Sequence, residues 1–122
     1  MGPIWIATGA LCCAVAIAAG AFGAHGLKSR LDVDALALWE TAARYLMYGG
    51  MGQVLIGIAA LGQFRRGFDA AGLSLLVGSL VFSGTVAALA LGSPRWLGAV
   101  TPFGGLLMIV GFLLFAGTAL RL

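Results

Sequence analysis

The chain has 122 residues, of which 61% are hydrophobic and 9% charged, with a net charge of +3. A soluble domain carries about 25% charged residues and needs them to cover a large surface, so this composition suits lipid better than water. The seven basic residues are Lys28, Arg30, Arg44, Arg65, Arg66, Arg95 and Arg121. They lie scattered at segment ends and never form a run, which argues against nucleic-acid binding and for membrane anchoring.

The first apolar segment covers about 4–24. At 1.5 Å per residue it reaches roughly 30 Å, the thickness of a bilayer core. No Lys or Arg precedes it, and it exceeds the apolar core of a signal peptide, so a retained helix is expected. Cys12 and Cys13 are neighbours within it. On a helix they point about 100° apart and are read as two small apolar residues rather than a disulfide.

A polar stretch, 25–34, follows. Gly26 can end the first helix, and Asp32 or Asp34 can cap the next by accepting a bond from a free first-turn amide. Leu36, Trp39, Ala43 and Leu46 then recur at helical spacing, and Glu40 precedes Arg44 by one turn. This predicts a short amphipathic helix over about 33–44 lying at the interface, with Trp39 at headgroup level. A second membrane segment is expected over about 45–64, rich in glycine and carrying Gln53. A third is expected over about 70–91, ended by Pro94 and its neighbours, and a fourth over about 102–120. There Thr101 is the N-cap and Pro102 the first helical residue. Continuous apolar runs of this length favour helices over a barrel, whose strands alternate. The expected fold is therefore an all-α membrane protein: a bundle of four transmembrane helices in one domain, 1–122, with the interfacial helix before the second.

Close approach of backbones holds such helices together, so small residues mark their contacts. One ladder at every fourth position comprises Thr8, Cys12, Ala16, Gly20 and Ala24; another comprises Gly84, Ala88 and Gly92. Ser79 and Ser83 lie near the second and can return their hydroxyl bond to the backbone one turn back. Trp5, Tyr45, Tyr48 and Trp96 read as aromatic-belt residues. The basic residues divide almost evenly between the two faces of a four-span arrangement, and both termini are placed in the cytoplasm, in a bacterial inner membrane.

The polar positions with functional potential are His25, Glu40, Arg44 and Gln53. His25 sits at a membrane boundary, where an ionisable group suggests a proton relay or ligand, or else a ring that bonds the last helix carbonyls. Glu40 and Arg44 suit a headgroup or a substrate carboxylate, or a solvated pair. Gln53 reads as an interhelical hydrogen bond. No His, Cys and Asp grouping, paired carboxylates or metal-ligand set is apparent, so neither cofactor nor enzymatic activity is expected.

The block GAFGAHGL at 20–27 resembles a family of small bacterial membrane proteins catalogued as domain of unknown function 423, with relatives in eukaryotic mitochondria or membranes. The resemblance continues through RYLMY at 44–48, FSGT at 82–85 and RWLGAVTPFGG at 95–105. It implies a four-helix membrane fold without an assigned activity. The chain departs from the family at two places: Leu46 stands where members usually carry Gln, and Gly49 where they carry His. A site pairing that histidine with His25 is thereby disfavoured. Three roles remain: a structural or accessory component packing with itself or a larger complex, which the small-residue stripes favour; a small-solute or ion transporter or channel component; and an enzyme.

Overall fold

The computed structural model describes every residue from Met1 to Leu122. It is all-helical, with α1 at Gly2–His25, α2 at Val33–Ala59, α3 at Arg66–Ala90 and α4 at Thr101–Ala119. A 3₁₀ turn, Arg95–Ala99, leads into α4. Three segments are long and apolar enough to cross a membrane: α1, α3 and Arg95–Ala119. By length and composition α2 is not among them. Beyond Arg44 its apolar stretch covers only 45–59, about 22 Å at helical rise.

Local chemistry explains most of the boundaries. Asp32 caps α2, its carboxylate accepting from the Ala35 amide at 2.8 Å. α3 ends in a Schellman motif: Gly92 adopts φ +95°, and the Ser93 and Gly92 amides donate to the carbonyls of Ala88 and Leu89. α4 starts without side-chain capping. The Thr101 hydroxyl instead lies 2.6 Å from that of Thr85 on α3 and donates to Leu97. The separate interfacial helix expected over 33–44 is absent. Those residues and the following segment form one uninterrupted α2, since no Gly-Pro or Pro break separates them and Ala, Leu, Glu and Arg there all favour helix. The helix stops at Ala59, short of the expected Phe64, where Gly62 turns the chain with φ +73°.

Consecutive helices run antiparallel and pack edge to edge. α1 meets α2, α2 meets α3 and α3 meets α4 along their lengths, whereas α1 and α4 do not approach each other. Glycine sits at each crossing. A Cβ at Gly9 would lie 2.5 Å from the Gly50 carbonyl oxygen, and one at Gly2 2.8 Å from that of Gly57. One at Gly78 would lie 2.8 Å from the carbonyl oxygen of Gly104. These separations leave no room for any side chain, which is the packing that lipid-embedded helices rely on.

The seam on α1 differs from the expected ladder. Gly2, Trp5, Gly9, Cys12, Ala16 and Gly23 are buried, at spacings that mostly alternate between three and four. A strict four-residue step rotates about 40° per step, roughly 160° from Thr8 to Ala24, and so leaves the interface. Cys12 and Ala16 are buried, but a side chain at Gly20 would meet nothing within 4 Å and Ala24 is exposed. On α3, Gly84 likewise faces open space and Ala88 is half-buried, while Gly72, Leu75, Gly78 and Ser79 do the packing. Trp5 is not a belt residue. It is 4% exposed and joins Ile56, Phe68, Ala71, Leu75 and Met108 in the main core cluster.

Candidate functional site

The largest fully buried polar side chain is Gln53, which is 0% exposed. The glycines around it let α1 and α3 close over α2 and leave the amide out of reach of lipid. Its Oε1 accepts from the Thr8 hydroxyl at 2.8 Å. Its Nε2 donates to the Gly49 carbonyl at 3.1 Å and to Cys12 Sγ at 3.7 Å. Both ends of the amide are engaged within the protein, so Gln53 ties α1 to α2 and offers no free group to a solute.

His25, Glu40 and Arg44 are all exposed, His25 at the end of α1 and the other two one turn apart on α2. They are not brought together with Gln53, which lies more than two turns beyond Arg44. No three side chains among His, Cys, Asp and Glu come together in a group that could hold a metal ion. Chemistry in the connection between α1 and α2 is confined to solvent-facing groups. What is fixed there is Trp39, whose indole donates to the Ala19 carbonyl at 2.8 Å and whose ring meets Phe22 edge-on at 6.3 Å. A Cβ at Gly23 would strike that indole, so the glycine makes the place for it.

Two features carry little signal in the sequence. The first is a tie between α1 and α3: the Trp5 indole donates to Asp69 Oδ1 at 2.9 Å, and its ring lies against Gly72. The pair is 64 residues apart, and only the fold reveals it. The second is an apolar groove between α1 and α3, floored by α2. Its upper part has a volume of about 230 Å³ and is bounded by Ala19, Trp39, Ala42, Ser83 and Gly84. An adjoining part of about 270 Å³ reaches down to Thr8 and shares Val15, Leu46 and Leu80 with the first. Ser83 is buried with its hydroxyl unpartnered, so the expected bond back to its own helix is not made. Thr85, by contrast, does make it, donating to Val81 at 2.7 Å.

Comparison with known proteins adds a family but no activity. Residues 19–105 match the sequence model described as Protein of unknown function (DUF423). A UPF0382 membrane protein of Staphylococcus haemolyticus is 43% identical over 111 residues, covering 91% of this chain and 90% of the relative. One of Staphylococcus epidermidis is 41% identical over 118 residues, covering 97% and 96%. One of Staphylococcus saprophyticus is 43% identical, covering 91% and 92%. No solved structure matches the chain. With near end-to-end similarity to membrane proteins and a matching model over most of its length, this chain belongs to the DUF423 family of membrane proteins of unknown function.

Proposed function

We propose that the protein is a structural or accessory component of the bacterial inner membrane, without enzymatic activity of its own, which packs with itself or with a larger membrane complex. The supporting observation is the set of glycine-to-backbone seams, which makes the four helices one stiff unit while bulky apolar side chains such as Leu11, Ile17, Phe103, Ile109 and Leu113 point outward. Such a unit presents shape rather than chemistry. The transporter reading has less support, because the one fully buried amide is spent on internal bonds and the groove beside it is apolar.

In this reading all four helices cross the bilayer. α2 is the least apolar, yet it pairs with α1 along the whole of that helix, from Gly57 beside Gly2 to Trp39 beside Gly23. A helix so paired crosses wherever α1 crosses, and its glycines and Gln53 are hidden from lipid by its neighbours. Both termini then lie on one face, taken as cytoplasmic.

The test is purification of the full chain in mild detergent with native mass spectrometry and identification of co-purifying proteins, alongside solute flux in liposomes. A homo-oligomer or a defined complex without flux is expected. A partnerless monomer that conducts a solute overturns the accessory role. Orientation is read by membrane-impermeant thiol labelling in a Cys12→Ala, Cys13→Ala background. Cysteines placed at Ser29 and Arg95 should label from one side, and those at Gln63 and Leu122 from the other.

A further inference from the structure

We propose that Arg65, Arg66 and Arg121 form a binding site for the phosphate of an anionic phospholipid headgroup. The three arginines line one cavity of about 320 Å³, together with Phe64, Gly67 and Thr118. Arg65 and Arg66 start α3 and Arg121 follows α4, so two antiparallel helices deliver them to the same end of the molecule. Gly67 holds the cavity together, because it packs against the Thr118 side chain where any larger residue would collide. The α3 and α4 ends thus approach closely here, and the three arginines border a common hollow.

At their end of the molecule the three arginines outnumber the side-chain carboxylates three to one. The chain has four acidic residues, and Asp32, Asp34 and Glu40 belong to the opposite end. The fourth, Asp69, accepts the Trp5 indole at 2.9 Å. Arginines clustered in excess of nearby carboxylates suit a phosphate, whose oxygens accept the planar fork of donors. The surroundings select a lipid over a free anion. Phe64 is 82% and Leu120 87% exposed, with Leu61 and Leu122 exposed beside them. A cationic hollow with an apolar rim matches a headgroup whose acyl chains continue into the bilayer. This site needs only α3 and the α4 segment to span, so it does not rest on the accessory role or on the crossing of α2.

The experiment uses the full chain in a neutral detergent, with dioleoyl phosphatidylglycerol as probe and dioleoyl phosphatidylcholine and inorganic phosphate as comparators. Bound lipid is counted by native mass spectrometry. The native protein should bind phosphatidylglycerol at least ten-fold more tightly than phosphatidylcholine. Each Arg→Gln change should weaken it about five-fold, and the three together about a hundred-fold, from the attraction of a basic side chain to an anionic surface. The triple Lys28→Gln, Arg30→Gln, Arg95→Gln alters net charge equally at the other end and should leave binding within about two-fold, because that end is beyond screening distance. Equal losses in both triples, no preference over phosphatidylcholine, or displacement of the lipid by millimolar phosphate would each overturn the site. Arg121→Gln alone, at the chain end where folding is not at stake, should still show its five-fold loss. An unchanged affinity there refutes the proposal independently.

Discussion

The seam between α1 and α2 gives a sharp test, because two glycines of the same helix have opposite environments. A Cβ at Gly9 would stand 2.5 Å from the Gly50 carbonyl oxygen and 2.7 Å from the Val54 amide nitrogen, and both are backbone atoms that no rotamer can move. Ordinary contact starts at 3.4 Å, so Gly9→Ala must part the helices by 3.4 − 2.5, or about 0.9 Å. Overpacking of this kind costs about 1–3 kcal/mol. The same shift stretches the adjacent Thr8–Gln53 bond from 2.8 Å beyond hydrogen-bonding range, and interhelical bonds in membranes contribute about 0.6–1.7 kcal/mol. The expected loss is on the order of 2–4 kcal/mol, a shift of roughly 30- to 1,000-fold in the folding equilibrium. Gly20→Ala meets nothing within 4 Å and should cost nothing, with a small gain from helix propensity. Reversible unfolding in mixed micelles with increasing dodecyl sulfate measures both. If Gly9→Ala proves as stable as Gly20→Ala, the close backbone seam does not exist as described.

Four further outcomes are expected in the same assay. Trp5→Phe keeps most of the buried ring but loses the bond to Asp69, and should cost about 1–2 kcal/mol; Trp5→Ala should cost about 3–5 kcal/mol. Gln53→Leu should destabilise by about 1–2 kcal/mol, because the Thr8 hydroxyl is left with only the Trp5 carbonyl at 3.4 Å on its own helix, and a stabilised variant would show that the amide network does not tie the helices. Ser83→Ala removes a buried hydroxyl that has no partner, so it should be neutral or stabilising by up to about 1 kcal/mol, and a clear loss would reveal a bond to something outside the chain. His25→Ala should stay within about 0.5 kcal/mol of the parent, as expected of an exposed helix end, and a larger change would place the ring in a contact.

Much of the helical architecture is legible in the residues, and the reasons are local. Asp32 announces the start of α2 because capping needs only its own first turn. Gly92 ahead of Pro94 announces the end of α3 because both residues restrict backbone angles directly. The misread elements share a different cause. The junction between 44 and 45 shows a change of polarity, which suggests an interfacial helix followed by a membrane segment. The backbone, however, responds to hydrogen bonding and helix propensity and continues unbroken to Ala59. Thr101 reads as a cap but finds a better partner in Thr85 across the α3–α4 corner.

The candidate polar residues show the same division. Gln53 stands out in an apolar segment, and an amide there must find partners wherever it is placed. That these are Thr8, Cys12 and Gly49 depends on which helix lies alongside. Trp5 has the composition of a belt residue, and nothing nearby in the chain tells that Asp69 will meet its indole. The three arginines are 56 positions apart at their extremes, since 121 less 65 is 56, and become one cluster only when α3 and α4 run antiparallel.

Composition and the length of the apolar runs determined that this protein belongs in lipid and is built of helices. Those properties follow from the free energy of transferring each side chain and from backbone groups that must bond within their own segment. Tertiary structure alone decided which face of each helix is the seam. Small residues lie on many sides of α1 and α3, and with Gly, Ala and Cys at so many positions several registers satisfy the pattern equally. The choice went to the register in which Gly2, Gly9 and Gly78 meet backbone and Trp5 reaches Asp69, leaving Gly20 and Gly84 facing open space. Packing at that resolution depends on two helices at once, and neither segment carries the information by itself.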